Sequence, residues 1–181
     1  MNPVVIAILV IVALAAVLTI IYVLTYNKIQ KYMIRINEAE LQIDEALRKR
    51  YDILVSMENI INETLNLKQN NFADLKDGNI KISNFEMDRK LTKVVDLFKK
   101  IRSDYLEELD FESFRTLLVD LKISEEKNEA AKKYYNKYTT KLNELIRKFP
   151  SNIIAKIHSI KAHLYFDNKD MNDDDILDFK L

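Results

Sequence analysis

Hydrophobic and polar positions follow two different regimes along the chain. From Val4 to Tyr26 the residues VVIAILVIVALAAVLTIIYVLTY include no charge. A run of this length crosses a hydrocarbon core of about 30 Å as an α-helix, and it predicts a transmembrane segment. Pro3 suits the first turn of that helix, and Tyr22 and Tyr26 fall near its far end, where amphipathic rings favour the lipid–water boundary. A cleaved signal peptide would need a basic leader and an apolar stretch of about 7 to 15 residues, and the run meets neither condition.

After Tyr26 the apolar residues recur at alternating steps of three and four: Ile29, Tyr32, Ile36, Ala39, Ile43, Ala46, Ile53, Met57, Ile60 and Leu67, interrupted by Arg50 and Thr64. Leu47, Leu54 and Ile61 widen this stripe from a coiled-coil seam to a bundle face. The helix is expected to leave the membrane unbroken and to project about 60 Å by Leu67. Lys68 to Ser83 holds the sole glycine, Gly78, among several Asn and Asp residues, and predicts the first turn. Met87, Leu91, Val94, Phe98, Ile101 and Tyr105 predict a second helix ending near Leu109. With Asp110 as N-cap, a third helix is expected from about Phe111 to Lys148. Its seam is Leu117, Leu121, Ser124, Asn128, Ala131, Tyr135, Tyr138, Leu142, Leu145 and Phe149. Pro150 breaks it, and Ser151 or Asn152 is expected to cap a short helix carrying Ile153, Ile154, Ile157, Ile160 and Leu164. Past Phe166 the acidic DNKDMNDDDILDFKL is expected to fray.

The resulting fold class is all-α: an N-terminal transmembrane helix continuing into an antiparallel bundle of three long helices plus a short C-terminal helix. Residues 1–26 form the anchor, 27–166 the bundle and 167–181 a tail. One glycine and two prolines in 181 residues agree with long helices. Cysteine is absent, which removes disulfides, thiolate nucleophiles and zinc ribbons. Lys plus Arg equals Asp plus Glu at 28 each, so no global field draws the chain to nucleic acid. Lys28, Lys31 and Arg35 follow the apolar run closely, which places the N-terminus outside and the bulk in the cytosol.

Chemistry is sparse. His158 and His163 lie five apart, about 140° around a helix, and cannot share a metal face. A lone glycine builds no phosphate loop, and the Asp173 to Asp175 run lacks the spacing of a calcium loop. No enzymatic activity and no cofactor are expected. More informative are the polar breaks in apolar faces, because each needs a partner or costs about 1 to 3 kcal/mol. Arg50, or its neighbour Arg48, is expected to bond to polar groups of the third helix in a polar layer with Asn128, Asn136 and Asn143. An arginine snorkelling its head into water is the competing reading. Tyr134, Tyr135 and Tyr138 form a patch that suits either an interaction surface or core packing with hydroxyls at the rim.

Two stretches resemble the LemA family of bacterial membrane proteins. YYNKYTTKLNELIRKFPSNIIAKIHSIKAHLYF, Tyr134 to Phe166, is similar to that family's paired Tyr-Asn motifs, Phe-Pro-Ser-Asn turn and closing Phe, with Leu142-Asn143 in place of the second Tyr-Asn. IDEALRKRYDIL, Ile43 to Leu54, resembles its arginine-rich signature, followed by Val55-Ser56 where Pro-Asn is typical, and Lys68 to Asp88 is shorter than usual. The resemblance implies an N-terminal anchor and an inner helical bundle, and it implies no reaction. The expected function is a membrane-anchored scaffold or adaptor that meets lipid through residues 4–26 and recruits protein partners or copies of itself. The alternative is a sensor or carrier of an apolar ligand or lipid between its helices.

Overall fold

The computed structural model describes residues 2–68, 70–72, 83–109 and 111–166. It is all-helical, with four helices in chain order and no strand among the described residues: α1 Pro3–Thr64, α2 Asn84–Asp104, α3 Glu112–Arg147 and α4 Ser151–Ile157.

Helix α1 begins where Asn2 Oδ1 accepts the Val4 N–H at 3.1 Å, with Pro3 in the first turn, where a missing N–H is harmless. No glycine or further proline interrupts its 62 residues. Residues 3–24 are exposed throughout, and α1 is the one described helix long and apolar enough to cross a membrane. It stops at Thr64, short of the expected Leu67, because Asn66 turns left-handed at φ 54° and Leu67 N–H returns to the Asn62 carbonyl at 3.0 Å. Asparagine here replaces the usual terminal glycine.

Helix α2 opens on a capping box. Ser83 Oγ accepts the Glu86 N–H at 3.2 Å, and the Glu86 carboxylate accepts the Ser83 N–H at 3.1 Å. It ends at Asp104, before the expected Leu109. The expected cap Asp110, the pivot Gly78 and the tail 167–181 lie outside the described residues.

Two expectations for the short helix are corrected. Its N-cap position is Pro150, after a cis Phe149–Pro150 peptide, and no side chain caps it; Ser151 and Asn152 lie within α4. It ends at Ile157 rather than Leu164. Ser159 adopts φ 52°, Ile160 N–H bonds to the Ala155 carbonyl at 2.8 Å, and Ser159 N–H bonds to the Lys156 carbonyl at 3.1 Å. This paired closure turns the chain out of the helix.

The described chain divides into two compact units. The first comprises the chain up to Glu38 with Tyr134–Tyr165, and the second Ala39–Lys133 with Phe166. In the second, Ile43, Leu47, Leu54, Met57 and Ile61 of α1 are buried, as are Leu91, Val95 and Phe98 of α2 and Phe114 and Leu121 of α3. Ser124 Oγ donates to the Ala46 carbonyl at 3.0 Å, Arg50 meets Asp88 and Glu125, and Met57 lines one groove with Phe98, Leu118 and Leu121. Partners therefore ascend along α2 and descend along α3, so within this unit α3 is antiparallel to both other helices while α1 and α2 run the same way. Parallel neighbours need a connection that travels back. The segment after α1 begins that return: Asn71 donates its backbone N–H and its Nδ2–H to the buried Glu58 Oε1 at 2.7 and 2.8 Å. Phe72 is fully buried, edge-on to Tyr51 at 5.3 Å between ring centroids.

Phe72→Ala is expected to destabilise the protein by about 3 to 5 kcal/mol through the cavity it leaves. The melting temperature of the full chain in detergent, followed by circular dichroism, should fall by roughly 10 °C.

Candidate functional site

Arg50 occupies a seam position of α1, between Ala46 and Ile53, so the helix turns it inward and leaves it 4% exposed. Its Nη1 donates to Asp88 Oδ1 at 3.1 Å, and its Nη2 donates to Thr92 Oγ1 at 3.3 Å and Glu125 Oε1 at 3.2 Å. Asp88 and Thr92 stand one turn apart on α2, and Thr92 Oγ1 donates to the Asp88 carbonyl at 2.8 Å. From α3, Asn128 Nδ2 donates to Asp88 Oδ1 at 2.8 Å and Lys132 Nζ to Asp88 Oδ2 at 3.1 Å. Lys132 also pairs with Glu129, and its ammonium lies 5.8 Å from the centroid of the Phe166 ring, which packs edge-on against Phe85.

One buried carboxylate thus gathers donors from two other helices. Its side chain is 8% exposed, against 5% for Arg50 and 9% for Lys132. Such pairs are near neutral in net stability, since desolvation offsets attraction, yet removing one partner strands a charge at a cost of about 3 to 5 kcal/mol. Among the described residues, Arg50 Nε–H and the Asn128 Oδ1 acceptor find no partner. The cluster faces a groove of about 520 Å³, rimmed by Arg89 and Lys93. All three helices are tied at one level, which fixes their register. No group of three or more His, Asp or Glu side chains that could hold a metal occurs among the described residues.

The expected polar layer divides. Arg50 and Asn128 meet through Asp88. Arg48 does not join and is corrected: two residues away on the helix it faces water, pairing with Asp44 at 2.8 Å, a bond that raises its pKa above the ordinary value. Asn136 is half-buried on α3, and its carbonyl accepts the Thr140 hydroxyl at 2.9 Å. Asn143 belongs to the first unit, where it clips the chain after α4: Nδ2 donates to the His163 carbonyl at 2.8 Å and Oδ1 accepts the His163 N–H at 2.9 Å. Tyr135 adds a second clip through its hydroxyl to the Leu164 carbonyl at 3.0 Å. Being 7% exposed, Tyr135 offers no interaction surface, a correction to the expected patch.

Tyr134 and Tyr138 are half-buried with ring centroids 4.7 Å apart, and Tyr32 lies 6.0 Å from Tyr138. Desolvation, then the hydrogen bond with Tyr138, raises the Tyr134 pKa. Arg35, bonded to Glu38 at 2.8 Å, is held above its ordinary value by that bond. Sequence reasoning missed Asp88, Thr92, Glu125 and Lys132. A signal existed for two of them: Asp88 precedes Leu91 and Val95 at steps of three and four, and Lys132 follows Asn128 by four.

The LemA family model matches residues 39–177. The chain belongs to the LemA family. No curated protein matches it. In this LemA-family chain the arginine-rich stretch supplies the inward Arg50, and the Tyr-Asn stretch supplies the two clips on residues 163 and 164.

Asp88→Leu is expected to cost about 3 to 5 kcal/mol, because Arg50 and Lys132 keep their buried charges without it. Replacing all three, with Arg50→Met, Asp88→Leu and Lys132→Met, is expected to cost less than the single losses summed. Arg48→Ala should leave the unfolding midpoint unmoved. Denaturant unfolding of the full chain in detergent measures each, and strictly additive losses would show that the three residues do not act as a unit.

Proposed function

We propose that the protein is a membrane-anchored helical scaffold with its bulk on the cytosolic side of the cytoplasmic membrane, recruiting protein partners rather than catalysing a reaction. The observation that carries this reading is α1 itself: a wholly exposed apolar segment continues without a break into residues whose buried charge, Arg50, is engaged in tying three helices together. Lys28, Lys31 and Arg35 just past the apolar run favour the cytosolic placement. Family membership agrees with a helical membrane protein and assigns no reaction. For partner contact the second unit offers Val119 and Ile123, one turn apart on α3 and 57% and 40% exposed.

A second reading is favoured by one observation. Met57, Val95, Phe98, Leu106, Leu118 and Leu121 line an apolar groove of about 590 Å³ between α2 and α3, with room for an apolar ligand.

Photoreactive residues placed at Val119, Ile123 and Leu106 in cells separate the two. The scaffold reading expects discrete protein adducts from Val119 and Ile123, and an adduct of twice the chain's mass identifies a second copy as partner. Lipid-sized adducts confined to Leu106 would favour the ligand reading, and the absence of protein adducts at Val119 and Ile123 would count against the scaffold.

A further inference from the structure

Helix α4 packs beside the end of the apolar run within the first unit. His158, its C-cap residue, meets the Tyr22 hydroxyl at 2.7 Å through Nε2, and its ring lies 4.6 Å from that of Tyr26. Tyr22 and Tyr26 stack with centroids 6.2 Å apart. Tyrosines at the last turn of an apolar span sit at the headgroup level of a bilayer, so His158 sits there too.

The inner side of α4 is satisfied, with Ile154 and Ala155 buried. Its outer side is not. Ile153 and Ile157, one turn apart, are 50% and 65% exposed, and Phe149, just before the helix, is 80% exposed. Three large apolar side chains in water beside a membrane-spanning segment would be a costly arrangement, because each forgoes burial of its apolar surface. At an acyl-chain boundary the same side chains are solvated by lipid.

Charge in this unit agrees. Its ionisable acidic and cationic side chains other than histidine are nine basic ones, three on α1 and six between Lys137 and Lys161, against Glu38 and Glu144 alone. The whole chain is balanced at 28 each, so the positive excess is confined to the unit that carries the span. Lys148, Lys156 and Lys161 near α4 are exposed, as are Lys28 and Lys31 on α1. Basic side chains so placed are attracted to anionic headgroups.

We propose that Phe149, Ile153 and Ile157 form a second membrane contact, a monotopic wedge that dips into the bilayer interface beside the span while the surrounding lysines engage anionic headgroups. The occupant of this apolar face is lipid. A wedge of this kind fixes the rotation and tilt of α1 at the membrane surface, which a single spanning helix alone leaves free. The inference rests on residues 4–26 crossing the bilayer, and its test distinguishes the two claims.

The chain has no tryptophan, so single-tryptophan variants report local environment without background. Leu14→Trp, Phe149→Trp, Ile157→Trp and Val119→Trp of the full chain are reconstituted in phosphatidylcholine–phosphatidylglycerol vesicles, with or without lipids brominated along their acyl chains. Leu14→Trp should be quenched by bromines near the chain middle, whatever α4 does. Phe149→Trp and Ile157→Trp should lose most of their emission to bromines near the glycerol end, while Val119→Trp keeps its own. Quenching of Leu14→Trp with emission from both wedge variants matching Val119→Trp would overturn the wedge and leave the span standing. Blue-shifted but unquenched wedge variants would overturn it as well, in favour of a covering protein or second copy. Unquenched Leu14→Trp would bring down the span, and the wedge with it.

Discussion

Asp88 is the point on which the second unit depends. Its carboxylate accepts from Arg50 on one helix and from Asn128 and Lys132 on another, all deep in the interior. Apolar seams alone define a bundle loosely, because leucine and isoleucine layers can slide past one another by a turn and repack at modest cost. A buried ion network cannot slide. Shifting α2 by one residue would move Asp88 about 1.5 Å along the axis and 100° around it, stranding two cations at several kcal/mol. Specificity of register, rather than raw stability, is what the cluster supplies.

The same use of polar side chains recurs where the backbone leaves the helices. Residues 161–166 lie outside the helices, and part of their main chain is answered by side chains. Asn143 and Tyr135 answer those of His163 and Leu164, and Glu58 answers the backbone of Asn71 in the segment after α1. Each of these residues is itself buried on its helix. Polar breaks in the seams are therefore attachment points for irregular chain as well as ties between helices. The stretches that resemble the LemA family are rich in such breaks, which gives those motifs a physical role independent of any reaction.

Charge is distributed unevenly between the two units. A chain neutral overall concentrates its basic excess in the unit holding the exposed apolar run and leaves the compensating acid elsewhere.

The sequence by itself determined the helices and their buried faces. A charge-free run can only be a span or a core, and steps of three and four from Ile29 to Met57 and from Leu91 to Ile101 admit one inward side for each helix. Arg50 and Asn128 were legible as anomalies for the same reason. What the periodicity could not convey was the partner of each anomaly, since Asp88 lies 38 residues from Arg50 and its neighbours Met87 and Leu91 carried the seam. Helix ends were equally hidden, because Asn66 and Ser159 take the left-handed turn without the glycine that usually marks it. Only the tertiary structure decided that α1 and α2 run the same way, that Tyr135 turns inward to clip residue 164, and that α4 returns to the end of the apolar run. Those outcomes depend on which distant groups satisfy each other's hydrogen bonds, and local periodicity carries no information about that.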